Sequence, residues 1–410
     1  MAKHVFRIFV SSTFNDLKLE RNALQARVFP RLRELCERQS TQSHLTDRIK
    51  GQPDLNKDNN YETQIAQFQA IDLRWGVSDE ASLDQQAMQI CLDEIARCQQ
   101  TSPRPNFFVL LGDRYGWMPP PARITDEIFH KICSVVSDAD RAFLIDHYTL
   151  DENALEPEQR LNPREKGGPY ERYEDWEPVE RKLHAILSAA AKNLKLKDEL
   201  LLPFTASATH QEIQSGAEKQ KDAREHVFCF FRSIEGLPQE FHMLDFQKVL
   251  SARLQEEYSA GLSESCQKLV DAILGMNKDV TARQVFDHLK LGLKETPRAT
   301  DEETILQFIR QMLIDFTAAD FMNMTPDWVV DQAARDRLDL LKQELDQEYG
   351  EHVYHYQTQW KNGGISADHI DQLCEDVYQS LANIILTELK NPHDGADDRK
   401  KRSTSSQLLR

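Results

Sequence analysis

Along the first 235 residues, short unbroken apolar runs alternate with stretches of helical spacing. Val5-Phe6-Arg7-Ile8-Phe9-Val10 is almost wholly apolar and β-branched or aromatic, as in a strand covered on both faces. Ser11-Ser12-Thr13 follows, and Thr13 with Asp16 has the spacing of a capping box that opens a helix. Leu17, Leu24, Val28, Leu32 and Leu35 then share one helical face to about residue 38. Pro30 either kinks that helix or starts a second one at its first turn. Residues 40–62 are polar, with Gly51 and Pro53, and read as a mobile loop. Phe68 to Leu73 predicts a second strand, ending in Arg74-Trp75-Gly76. Ser82 with Gln85 is a further capping box, and Ala87, Ile90, Cys91, Ile95 and Cys98 mark a second amphipathic helix. Asn106 to Leu111 predicts a third strand, ending in Gly112-Asp113-Arg114-Tyr115-Gly116-Trp117.

The rhythm breaks at residues 118–205. Prolines, the aromatics Tyr170, Tyr173 and Trp176, and a helical stretch near 180–195 read there as an insertion. It resumes with a helix starting at Ser207 and a fourth buried strand, His226 to Phe231. This alternation predicts an α/β fold, a parallel sheet flanked by helices with right-handed crossovers. From about residue 240 the pattern reads as helical nearly throughout. Ile305, Leu306, Ile309, Met312, Leu313 and Phe316 share one face, and Ile370, Leu373, Val377, Leu381 and Ile384 share another, with Ser366 as a cap after Gly363-Gly364. The expected organisation is an α/β domain over 1–240, interrupted by the insertion, an α-helical extension over 241–390, and a disordered tail over 391–410.

Composition narrows the function classes. The chain has 410 residues, enough for two domains, and 40% are hydrophobic, enough for a sizeable core. No apolar run reaches the length of a membrane span, and no signal core precedes the first strand, so a cytoplasmic protein is expected. The net charge of −17 argues against a general nucleic-acid binder and suits protein partners. Seven scattered cysteines without a C-x-x-C pair argue against a disulfide framework or a zinc site.

The phosphate-loop, dinucleotide, nucleophile-elbow and zinc-helix motifs are all absent. His210 and His226 are isolated, and no metal site is expected. What remains is a set of polar residues at the carboxyl ends of the expected strands, where open α/β sheets bind ligands. These are Ser11, Ser12 and Thr13; Arg74 and Trp75; Asp113, Arg114, Tyr115 and Trp117; and Glu212 on the helix before the fourth strand. Arginine can fork a phosphate, the aromatics can stack on a base, and Glu212 can hold a ribose hydroxyl or an oxocarbenium-like cation. Each also has a structural reading: helix caps, an Arg74–Asp113 pair, packing anchors, an exposed helix acid.

The motifs carry a resemblance. Phe9 to Leu17 with Glu20-Arg21 and Val28 to Leu32, then Asp72 to Val77, Cys91 to Ile95, Leu111 to Trp117, and Ser207 to Thr209 with Glu212-Ile213, resemble in order a family of unassigned function. That family precedes NACHT ATPase and WD-repeat modules in telomerase-associated and NACHT-and-WD-repeat proteins and in bacterial signalling ATPases. His210 departs from its pattern, where an acidic residue is expected. The family resembles TIR domains, which are flavodoxin-like, in element order. The resemblance implies a TIR-like signalling or defence module that self-associates or binds protein partners, among them a NACHT or STAND ATPase. Its alternative is an NAD glycohydrolase, with NAD as substrate, in which Glu212 is catalytic, Trp75 or Tyr115 stacks on a ring, and Arg74 or Arg114 holds the pyrophosphate. A plain scaffold binding through the helical half is the third reading.

Overall fold

The computed structural model describes residues 3–13, 16–49, 65–73, 83, 85–218, 223–238, 241–242, 324–325, 331–361 and 364–390. Strand β1 (Lys3–Ser12) is followed by helix α1 (Lys18–Ala23), a π-helical turn (Leu24–Val28) and helix α2 (Phe29–Ile49). Pro30 therefore sits in the first turn of a new helix, where its missing N–H costs nothing. That helix runs past residue 38 to Ile49, into the stretch expected as loop. Its last turns are polar, but no Gly or Pro interrupts them before Gly51. Strand β2 (Ile65–Ile71), helix α3 (Ala87–Thr101) and strand β3 (Phe107–Leu111) come next. Helix α3 starts at Ala87 without a side-chain cap, and Gln85 lies at a φ of 58°, while Ser82 is outside the described residues.

The insertion has a fold of its own. Strands β4 (Arg123–Thr125), β5 (Tyr148–Asp151) and β6 (Glu158–Leu161) form an antiparallel sheet in the order β4-β6-β5. Helices α4 (Asp126–Val135), α5 (Asp138–His147) and α6 (Tyr173–Asn193) pack on it around Ile124, Phe129, Ile132, Leu144, Trp176 and Leu183. The sequence showed it only as an insertion with a helical stretch near 180–195; its strands are too short to show a period.

Helix α7 (Ala208–Ile213) then leads through a second π turn to strand β7 (Val227–Glu235). A two-residue bridge joins β8 (Phe241–His242) to β9 (Met324–Thr325). Helix α8 (Gln332–Tyr349), strands β10 (Val353–Lys361) and β11 (Gly364–Ile365), and helix α9 (Ile370–Lys390) complete the described chain. The region expected as α-helical thus contributes two strands to the main sheet. The 305–316 face and the 391–410 tail lie outside the described residues.

The main sheet has the order β11-β10-β7-β3-β1-β2, with parallel pairing everywhere except the β10–β11 hairpin. Counting only its five parallel strands in chain order gives 2-1-3-4-5, the doubly wound flavodoxin-like arrangement with its switch point between β1 and β3. Helices cover both faces. Phe6, Ile8 and Val10 meet Leu24, Val28, Leu373, Val377 and Leu381 on one; Phe9, Phe107, Val109 and Leu111 meet Ile95, Ile213, Leu338 and Leu341 on the other. Every residue of β3 is buried, which is why its sequence is continuous rather than alternating. No described helix is long and apolar enough to cross a membrane.

Gly216, in the second π turn, lets that turn close on the sheet: a Cβ there would run into the Phe107 ring. Gly216→Ala should cost about 1–3 kcal/mol, the usual penalty of overpacking, measured by denaturant unfolding. A variant as stable as the parent would show that turn and ring separate freely.

Candidate functional site

The carboxyl ends of the parallel strands converge at the switch point, and side-chain alternation along β1 sorts their polar residues onto two faces. Ser11 faces α7 and donates through Oγ to Glu212 Oε2 at 2.6 Å. The Cys91 thiol on α3 lies beside the same carboxyl. Burial pushes the Glu212 carboxyl above its ordinary value, and the Ser11 and Cys91 hydrogen bonds and the Arg21 charge only partly oppose it. Burial likewise raises the Cys91 thiol, with the Glu212 charge adding to the effect. Ser12 faces the opposite side, where Arg21 Nη1 donates to its Oγ at 2.6 Å and the same guanidinium pairs with Asp72 at the end of β2.

Because Glu212 holds its proton more tightly when folded than when unfolded, its contribution to stability is fullest below the ordinary carboxyl value of 4.5. It is lost as pH rises from there through the folded value. Glu212→Gln keeps the shape and removes the titration. Its unfolding free energy should therefore fall less than the parent's over that rise, and matching pH profiles would sink the assignment.

The densest cluster is centred on Arg232, on β7, whose side chain is 0% exposed. Its Nε donates to Asp113 Oδ2 at 3.1 Å, and its Nη1 donates to Glu20 Oε1 at 2.8 Å and to the Asp16 carbonyl at 2.7 Å. Asp16 Oδ2 lies 3.5 Å from Nη2. His369 Nε2 is 2.9 Å from Glu20 Oε1, tying the start of α9 to the hub. Lys342 on α8 donates to the carbonyls of Gly112 and Arg232 at 2.6 and 3.1 Å. Burial alone would raise Glu20, but the His369 hydrogen bond and the Arg232 charge outweigh it and hold Glu20 below the usual range. Asp113 goes the other way, because burial exceeds the pull of Arg232 and Lys342. Burial also lowers Lys342.

Asp16 also serves the strand β3 turn. Its Oδ2 accepts from the backbone N–H of Asp113 at 2.8 Å and of Arg114 at 3.2 Å, and its Oδ1 accepts from the Thr13 hydroxyl. The Thr13–Asp16 spacing was expected to cap a helix; α1 begins at Lys18 without a side-chain cap, and the carboxylate turns to the neighbouring strand end instead. Gly112 accommodates it, since a Cβ there would collide with the Asp16 carboxylate.

The remaining rim residues separate. Tyr115 is buried, with its hydroxyl 2.8 Å from His210 Nδ1, and Arg337 lies 5.1 Å over its ring. Burial, then the Arg337 charge, lowers His210. Arg114 lies beside Thr13, Tyr115 and Trp117 in the wall of a cavity of about 260 Å³. Trp117 points to the insertion and donates through Nε1 to Glu180 Oε2 at 2.8 Å. Arg74 and Trp75 are outside the described residues. The structure thus joins Ser11 to Glu212 and Asp113 to a hub of Arg232, Asp16, Glu20, Lys342 and His369 that the sequence reading left out. One signal was present: Arg232 directly follows the apolar run Val227 to Phe231, where a charge has to be buried.

Residues 7–148 match the model of a domain of unknown function, DUF4062. The chain is 23% identical over 366 residues to mouse NACHT domain- and WD repeat-containing protein 1, covering 87% of this chain and 20% of that protein. It is 26% identical over 249 residues to mouse NACHT and WD repeat domain-containing protein 2, covering 56% and 13%. With mouse telomerase protein component 1 it shares 31% identity over 128 residues, covering 29% and 3%. The chain therefore spans a fifth or less of the length of these relatives. No solved structure matches it.

Proposed function

Taking as premise that the N-terminal part of this chain is a DUF4062 domain, related to the front of NACHT and WD-repeat proteins, we propose that it is a TIR-like signalling module. It acts by self-association or by binding protein partners, a NACHT-type ATPase among them, and without chemistry of its own. One observation carries this reading: the chain's own acids engage the carboxyl end of the sheet. A phosphate at the switch point would need the amides of Asp113 and Arg114, which donate to Asp16, and a cation, where Arg232 is matched to three carboxylates. Glu212, the residue an NAD-cleaving site would need, is turned to Ser11 and Cys91.

The competing reading, an NAD glycohydrolase, rests on the raised Glu212 carboxyl at this same sheet end. The test is NAD loss and nicotinamide release by concentrated and by artificially tethered protein, parent beside Glu212→Gln, with sedimentation velocity over a concentration series. The module reading expects no turnover from either protein, with mass rising with concentration or on adding a NACHT-type partner. Turnover that disappears in Glu212→Gln overturns it.

A further inference from the structure

Away from the strand ends, the insertion and α3 enclose a cavity of about 270 Å³. About 150 Å³ suffices for one benzene ring, so this space admits a single ring with a short substituent. Its walls are stiff and mostly apolar. Pro119, Pro120, Pro121 and Pro203 line it, and a proline has no side-chain freedom to lose. The rings of Trp117 and Tyr173 also line it and are 44% and 49% exposed as residues. Their polar ends converge on one buried acceptor. Trp117 Nε1 and the Tyr173 hydroxyl donate to Glu180 Oε2 at 2.8 and 2.9 Å, and Trp176 Nε1 donates to Oε1 at 3.2 Å. Two exposed aromatic faces are thereby fixed in position before anything binds, which removes much of the ordering cost of binding.

The charges in the walls are already answered. Glu180 is the one acid among the described lining residues; it receives those three donors, and the charge of Arg164 acts on it as well. Arg164 also donates to the Tyr170 carbonyl at 3.5 Å, and Arg123 lies 3.6 Å from Glu158. The side-chain amides of Gln89 and Gln211 donate to Asp93 and to the Ala206 carbonyl at 2.8 and 3.1 Å. A charged ligand would give up its hydration here without gaining a counter-charge, so the walls favour a neutral one. Gln85 differs from the other lining amides. It holds a left-handed backbone, φ 58°, and its buried Nε2 lacks a hydrogen-bond partner. A non-glycine residue in that conformation is strained, and a buried donor without an acceptor is costly; strain of this kind collects at functional positions. The complement of two flat rings, balanced charge and one unmet donor is a neutral flat ring carrying one acceptor oxygen.

We infer that this cavity binds a small neutral aromatic carbonyl compound, its ring against Trp117 and Tyr173 and its carbonyl oxygen accepting from Gln85 Nε2. This site is independent of the proposed signalling role and of Glu212. The probe is benzamide, titrated into the full chain by tryptophan fluorescence and calorimetry. Benzoate and benzamidine, which match it in size and carry opposite charges, are the controls. Saturable binding of benzamide is expected, with both ions about tenfold weaker or more. Gln85→Met keeps the length of the side chain and removes the donor; it should bind benzamide about threefold to tenfold more weakly, the worth of one hydrogen bond. Tyr173→Leu, at an exposed position, should lose a similar factor, the worth of one ring-on-ring contact. Circular dichroism of each variant separates a lost site from a lost fold. No saturation by benzamide in the millimolar range, equal affinity for either ion, or unchanged binding by folded Gln85→Met or folded Tyr173→Leu overturns the assignment.

Discussion

Arg232→Leu should destabilise the chain by about 3–5 kcal/mol, the usual consequence of removing one partner from a buried ion network. The hydrophobic gain is small beside what remains: Asp16, Glu20 and Asp113 converge on a space with no cation at its centre, two of them almost wholly buried. Among the described residues, Glu20 keeps His369 and a backbone hydrogen bond, and Asp113 keeps the more distant charge of Lys342. Equilibrium unfolding in guanidinium measures the loss. Two companions guard against a variant that does not fold at all. Arg232→Lys keeps the charge but not the fork that reaches Asp113 and Glu20 together, and should fall between. Adding Glu20→Gln and Asp113→Asn to Arg232→Leu removes the stranded charges and should recover part of the loss. An Arg232→Leu protein within about 1 kcal/mol of the parent, in the range of ordinary surface changes, would show that the hub is solvated rather than buried.

Acid acts on the same hub through Glu20. Its folded carboxyl titrates below the ordinary 4.5, so its contribution is complete above that value and is lost as pH falls through the folded value. Asp113 has the opposite sign, its contribution declining as pH rises above the ordinary 3.8. The two partly cancel in the pH profile of stability.

Trp176→Ala should be comparably damaging, about 3–5 kcal/mol, but to one part of the molecule. Trp176 is 2% exposed in the insertion's own core, against Tyr170 in an edge-on contact, and its indole N–H is bonded to Glu180. That core is separate from the two that sandwich the main sheet. Hydrogen exchange should therefore show lost protection in β4–β6 and α4–α6 while β1, β3 and β7 keep theirs. Uniform loss across both regions would mean that the insertion and the sheet unfold as one cooperative unit.

How much of this was legible depends on how each segment is buried. β1, β3 and β7 are covered on both faces, and their unbroken apolar runs announced them. β10 did not. Tyr354, Tyr356, Thr358 and Trp360 alternate with His355, Gln357 and Gln359, and only Thr358 is fully buried, because the strand lies near the sheet's edge. Its alternation was a usable signal, but helical spacing on either side of it dominated the reading. The site divides the same way. That Ser11 and Glu212 belong to one sheet end followed from strand order alone. Arg232, Lys342 and His369 stand far apart in sequence, and only tertiary packing brings their charges to Asp16 and Glu20.

The place of β10 has a practical bearing on how the protein is cut. It pairs with β7 from Val353↔Cys229 to Gln359↔Glu235, so the last parallel strand of the sheet arrives only after residues 236–352 have been made. A shortened version ending near residue 240 would present the flank of Cys229–Glu235 that β10 covers with its amides and carbonyls unmet, next to the apolar run Val227–Phe231. Such a bare flank is a template for joining another chain, and closing it across so long a sequence separation is slow even in the intact protein. Expression boundaries drawn at the end of β7 would invite precipitation, whereas those drawn after α9 keep the sealing strand and its helix with the sheet they complete.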